Sequence, residues 1–171
     1  MPAIRIEPLE AEPQIIETLS EILVEIVEDG GSVSFMHPLD LETARNFWMG
    51  SLLAAERGKR VILGAFDGEY LVATVTLLLD CPPNQPHRAE IAKMMTRISH
   101  RAQGIAKNLM QVAERMAVER ERTLLVLDTA EEEGASGLYE KLGFTLAGVI
   151  PDYAFKPYGG LTGTMIYWKR L

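Results

Sequence analysis

The stretch Ser99-His100-Arg101-Ala102-Gln103-Gly104-Ile105-Ala106-Lys107 constrains this chain more than any other. It separates the strand-like run RAEIAKMMTRI from an amphipathic segment over residues 102–120. Within that segment Ile105, Leu109, Val112, Ala113 and Met116 recur at helical period and form a core stripe. The order Arg101-x-x-Gly104-x-Ala106 therefore puts a nearly bare backbone at a helix start. Such a start offers amide N–H groups with no partner in the helix, together with the positive end of its dipole. Gly104 removes a Cβ where a ligand must come close, and Ala106 keeps the next approach open. Pyrophosphate is the guest that suits it.

The rest of the chain reads as alternating elements around this unit. Ala3 to Glu7 alternates as a short strand, and Ile15, Leu19, Ile22, Leu23 and Ile26 share one helical face. Asp29-Gly30-Gly31 ends that helix. Asp40 is an N-cap for a second helix, whose buried stripe is Leu41, Ala44, Trp48 and Leu52. RVILGAF and EYLVATVTLLL are strands joined by Asp67-Gly68, a preferred hairpin pair. The turn-rich CPPNQPH leads into RAEIAKMMTRI, the next strand. Leu124 to Leu127 is a continuous apolar run, as in a strand buried on both faces. A short helix over 132–142 ends at Gly143, a C′ glycine before Phe144. Final strands fall near 144–150 and 163–170. The order β-α-α-β-β-β-α-β-α-β-β predicts an α/β chain with a mixed (α+β) sheet and helices on both faces. No repeat or linker divides it, so residues 1–171 form one domain.

Composition excludes several function classes. With 47% hydrophobic and 24% charged residues, the chain is an ordinary folded protein. A net charge of −7 speaks against nucleic acid as a partner. An anion must then be captured against the overall field. Each hydrogen bond to a charged group is worth about 1.5–3 kcal/mol, and distant charges are screened within ~8 Å. The local loop outweighs the bulk charge. The single cysteine, Cys81, excludes a disulfide within the chain and a multi-cysteine metal site. His37, His87 and His100 lack metal-ligand spacing, so no metal is expected. The start MPAIRIEPLE has no long apolar stretch, and the chain holds no long apolar run; a cytoplasmic protein without membrane contact is expected.

Arg101-x-x-Gly104-x-Ala106 resembles the acyl-CoA-binding loop of the GNAT superfamily of N-acetyltransferases, Gln/Arg-x-x-Gly-x-Gly/Ala. Ala135-Ser136-Gly137-Leu138-Tyr139-Glu140-Lys141-Leu142-Gly143-Phe144 looks like that family's Ala-x-x-Leu-Tyr-x-x-x-Gly-Phe segment. The element order matches the GNAT fold along nearly the whole chain. GGSVSFMHPLD, RAEIAKMM, LLVLDT and TGTMIYWKRL resemble segments of the tabtoxin-resistance acetyltransferases more closely still. The resemblance implies acetyl-CoA as donor cosubstrate, bound by Arg101, Ala102, Gln103, Gly104, Ile105, Ala106 and Lys107, with Ser136 contributing from the second segment. It implies a small-molecule amine as acceptor (a toxin, antibiotic or metabolite). A protein acceptor and an acyl-CoA sensor without turnover are the rival readings, and a homodimer is expected by analogy. The chain departs from the family at Ile98, often proline, at Ala102, often glycine, and at Glu132, often a coenzyme-holding asparagine. Glu131, Glu132 and Glu133 instead suit a helix N-terminus.

The chemistry asks for particular groups. An alkylammonium of pKa near 10.4 lies about 3.4 units above neutral pH, roughly 4.6 kcal/mol against the reactive amine. A base is therefore useful. The resemblance gives the Glu90 position a catalytic carboxylate, and Asp128 ends the neighbouring buried strand, where open sheets place their sites. The pair would attract the cationic amine and take its proton. Tyr139, inside the matching segment, is the candidate acid for the departing thiolate. The resemblance assigns the donor to the carbonyl oxygen to backbone N–H groups near Met94, Met95 and Thr96, which would also pair with the pantetheine arm. Transfer would be direct, in a ternary complex. Residues 30–40, with Ser34, Phe35, Met36 and Asp40, are expected to close over the acceptor. Tyr153 and Tyr158, placed in the turn between the last two strands, are similar candidates.

Overall fold

The computed structural model describes residues 3–133 and 136–171, the side chains of Glu133 and Ser136 excepted. The elements run β1 (Arg5–Pro8), α1 (Pro13–Glu28), α2 (Leu41–Glu56), β2 (Arg60–Asp67), β3 (Tyr70–Leu78) and β4 (Arg88–Thr96), then α3 (Ile105–Glu119), β5 (Leu124–Ala130), α4 (Ser136–Lys141), β6 (Thr145–Phe155) and β7 (Leu161–Arg170). The expected order of elements is the observed one. The strands form one sheet, ordered β1-β2-β3-β4-β5-β7-β6. Only β4 and β5 run parallel, because α3 carries the chain across between them. All other neighbours are antiparallel.

Local chemistry sets the element ends. Pro13 opens α1, where its missing N–H costs nothing. The Asp40 carboxylate accepts the Thr43 amide at 2.7 Å and so starts α2. Gly68 (φ 59) turns the chain from β2 to β3. At the end of α4, Gly143 (φ 86) donates to Glu140 O and Phe144 donates to Tyr139 O, both at 3.0 Å. These two bonds make a Schellman motif, which fixes Tyr139 one turn before the helix end.

Two apolar layers hold the sheet. On one face α1 and α2 bury Leu19, Ile22, Leu23, Trp48 and Leu52 against Ile62, Leu71 and Met95. On the other, Ile105, Leu109, Met110 and Ala113 of α3 pack with Leu63, Val75, Ile91, Leu125 and Leu127. Burying each large side chain contributes about 1.5–3 kcal/mol.

Several expectations are corrected. The third helix starts at Ile105 rather than 102, since Ala102 (φ 59) and Gly104 (φ 78) are left-handed. β5 is not buried on both faces: Leu125 and Leu127 are buried, but Leu124 and Val126 are only half-buried. The helices α1 and α2 pack chiefly on β2, β3 and β4 and leave that side of β5 open. Leu41 is exposed, and Ser51 takes a place in the buried stripe of α2. Residues Glu131–Glu133 form a separate 3-10 turn, so the helix expected over 132–142 is only α4. Tyr153 lies within β6, a longer strand than expected, and not in the turn that follows it. That strand is the exposed edge of the sheet.

Candidate active site

The register between β4 and β5 builds the site. Their pairing runs Arg88↔Leu124, Ala89↔Leu125, Glu90↔Val126 and stops, although β4 continues to Thr96 and β5 to Ala130. Beyond Glu90 the two parallel strands separate. The pairing of β4 with β3 is also irregular here, with a register shift between Thr74 and Thr76 and a left-handed Lys93 (φ 51) opposite. A cleft of about 1120 Å³ opens at the split. Main-chain groups of β4 there lack a β5 partner, as a sheet edge does, and suit an extended ligand that pairs as an added strand.

At one end the cleft meets the start of α3. Gly104 is the N-cap, has no side-chain cap, and a Cβ built on it would meet nothing within 4 Å. No acidic residue occupies the first turn. The leading amides are therefore left to a ligand, and the helix dipole favours an anion there. Four contacts tie the preceding loop to α1 and its end. Arg97 pairs with Glu25 at 2.8 Å and with Glu21 at 3.2 Å, the Ile98 amide donates to Glu25 at 2.9 Å, and Arg101 pairs with Asp29 at 2.7 Å. The Arg101 guanidinium is thus engaged with Asp29, and this end offers an anion main-chain amides with the Lys107 side chain beside them. These residues fit a diphosphate.

At the other end the cleft meets side chains. Leu125 and Leu127 pack under α3, so Val126 and Asp128 face the opposite side, and Glu90 shares that side through its register with Val126. Glu90 pairs with Arg88 at 3.2 Å, and Asp128 accepts from the Thr164 hydroxyl at 3.3 Å. Tyr139 is buried, with ring centres 6.0 Å from Phe144 and 5.9 Å from Tyr167, and also lines the cleft. Lys93 reaches the same space; burial pushes its ammonium pKa below the usual lysine value, and the charge of Asp128 opposes that shift.

The cleft brings together Glu90, Asp128, Tyr139, Met94, Met95, Thr96, Arg101, Ala102, Gly104, Ile105, Ala106, Lys107 and Ser34. Four other candidates stand elsewhere. The Gln103 amide donates to Ser99 O at 3.4 Å, Phe35 packs edge-on against Phe47, Asp40 caps α2, and Tyr153 is exposed on β6. Ser136 opens α4, but its side chain lies outside the described residues. Glu132 lines the cleft, where its carboxylate pairs with Lys156 at 3.1 Å. Cys81 lies away from the cleft, its thiol donating to Arg88 O at 3.3 Å. Sequence reasoning missed Lys93 and Asp29. A lysine inside the otherwise apolar stretch 91–95 was the available signal for the first; the second reads only as part of a helix stop.

The family model of the acetyltransferase (GNAT) family matches residues 20–144. The chain belongs to the GNAT acetyltransferases. That match runs from α1 through the cradle at Gly104 to Phe144, so it spans both ends of the cleft. The GNAT fold is shown independently by solved structures. An N-acetyltransferase of Staphylococcus aureus Mu50 superposes with TM-score 0.83 at 19% identity, over 98% of this chain and 98% of that one. A ribosomal-protein-alanine N-acetyltransferase of Brucella melitensis gives 0.80 at 22% identity, over 99% of each. The yncA structure of Salmonella typhimurium, which holds its cofactor acetyl-CoA, gives 0.79 at 15% identity, over 99% of this chain and 94% of that one. Among the described residues no group of His, Cys, Asp or Glu is placed to hold a metal, and no helix is long and apolar enough to cross a membrane.

Proposed function

We propose that this GNAT protein moves an acetyl group from acetyl-CoA to the primary amine of a small molecule, by direct attack in a ternary complex. Acetyl-CoA supplies an activated thioester carbonyl. The amides of Gly104, Ile105, Ala106 and Lys107 hold its diphosphate, and the main chain of Met94 to Thr96 pairs with its extended arm and faces an N–H to the carbonyl oxygen. Glu90 and Asp128 attract the acceptor ammonium and take its proton, directly or through water. Tyr139 donates its phenolic proton toward the leaving sulfur.

The observation that carries this reading is the separation of β4 from β5 between an uncapped helix start and two carboxylates on one face. A binding module without turnover would not need that second end. The wall formed by the loop after α1 is pinned by the β6–β7 turn. Tyr158 donates to Glu28 O at 2.7 Å, and its ring stacks on His37 with centres 4.3 Å apart. A fixed wall favours a small acceptor, such as a toxin, antibiotic or metabolite amine, over a protein chain.

A steady-state assay that detects free coenzyme thiol against a panel of small amines and peptides tests the proposal. Turnover with small amines above the peptides is the expected result. Coenzyme binding without thiol release for any amine would replace the enzyme by a sensor.

A further inference from the structure

Regular alternation along β4 would put residues 91, 93 and 95 on one side of the sheet. The bulge breaks that pattern. Ile91 and Met94 pack into the layer under α3, whereas Met95 packs under α1 and α2. Lys93, at φ 51, joins Met95 on the α1–α2 side: its Nζ donates to Ser34 Oγ at 3.2 Å and lies 5.6 Å from the centre of the Phe47 ring. Ser34 is itself left-handed, with φ 76. Two strained non-glycine residues thus meet in one hydrogen bond, and strain of this kind collects where a ligand is held.

Lys93 makes no ion pair among the described residues, although Arg88, Arg97 and Arg101 each do. The cation is partly desolvated and stands on the same side of the sheet as Glu90 and Asp128. Ser34 accepts from Lys93, so its own proton is left to donate. Two donors therefore converge in the cleft wall, one of them charged, next to a pair of acceptor-only carboxylates.

We infer that Lys93 and the Ser34 hydroxyl form an anion subsite in the acceptor pocket, and that the acceptor is a zwitterion carrying a carboxylate beside its amine. The inference rests on the function proposed above. The ammonium end of such an acceptor goes to Glu90 and Asp128, and its carboxylate goes to Lys93 and Ser34. A simple alkylamine would bring no anion to the partly desolvated Lys93 ammonium, leaving it with the Ser34 hydroxyl, the Phe47 ring face and the charge of Asp128.

The test is coenzyme-thiol release with the twenty L-amino acids and their carboxamides as acceptors, for the wild type, Lys93→Gln and Lys93→Arg. The wild type is expected to favour acids over amides. Lys93→Gln should lower the acid-to-amide ratio of kcat/KM by roughly tenfold to a hundredfold, the size of one charged hydrogen bond, mainly through KM. Lys93→Arg should restore most of the ratio, and calorimetric titration should give all three proteins the same affinity for coenzyme A. An unchanged ratio in Lys93→Gln, or wild-type turnover confined to carboxylate-free amines, would overturn the subsite and leave the acetyltransferase reading standing. Absence of thiol release with every amine in the wild type would overturn both.

Discussion

From Gly104 to Lys107 the cleft offers a ligand main chain, while around Glu90, Lys93, Asp128 and Tyr139 it offers side chains. The first end is held by the fold itself: a helix start, a left-handed glycine, and a loop tied to α1 through Glu25 and Asp29. At the second end the charged groups have partners of their own, Arg88 for Glu90, Thr164 for Asp128 and Ser34 for Lys93. A main-chain site binds whatever anion its amides reach, and substitution of its side chains leaves those amides in place. A side-chain site is remade by single substitutions. Under the proposed function, one framework can therefore keep its donor while its acceptor pocket changes.

The sharpest way to break that contrast is a side chain where the donor end has none. Gly104→Glu must adopt φ 78, which costs a non-glycine residue about 1–2 kcal/mol, and it places a carboxylate at the anion site. Coenzyme A affinity by calorimetry should fall on the order of a hundredfold. An unaltered dissociation constant would remove the main-chain cradle from the account. Gly104→Ala sharpens the point: it carries the same backbone strain at φ 78 but brings no carboxylate, so it should weaken binding less. At the other end, Tyr139→Phe should lower kcat by roughly a hundredfold, the lower range for a lost proton donor, without changing coenzyme affinity. Wild-type turnover in that variant would take the acid role from Tyr139.

The same contrast explains what was legible in the sequence. The cradle is written locally, as glycine before an amphipathic stripe, and a local signal survives without the fold. Tyr139 was singled out through the resemblance of residues 135–144 to the family segment, whose Gly143 and Phe144 also mark the helix end that fixes its place. Lys93 was not. Its side depends on a bulge between β3 and β4, set by pairing across the sheet rather than by its neighbours in the chain. The open side of β5 was hidden for the same cause: four apolar residues in a row do not say how far α1 and α2 reach. Phe35 and Asp40 sit in a loop with the right composition, but Phe47 and the start of α2 engage their side chains.

Smaller effects separate the two ends further. Glu25→Ala takes the acceptor from the Ile98 amide and one of two carboxylates from Arg97, which keeps Glu21 at 3.2 Å, so stability should drop by about 1 kcal/mol in denaturant melts. Coenzyme affinity should fall only several-fold, since the amides of α3 remain. Equal stability for Glu25→Ala and wild type would mean that the loop is held by other contacts.

The smallest effect concerns the cost of Lys93 itself. Burial lowers its pKa below 10.5, so between the folded value and 10.5 the unfolded chain binds more protons than the native one. Stability must rise with pH across that window, and at neutral pH the native state carries the whole desolvation cost. Lys93→Met removes the charge and should melt slightly higher than wild type at pH 7. The gap should close as the pH passes 10.5, where wild-type lysine is neutral in both states. A variant that melts lower at pH 7, or a gap that widens with pH, would show that the ammonium is held by attraction to Asp128 instead of at a cost. Lys93 would then be an element of the fold like Arg97, and the acceptor end would have no charge waiting for a ligand.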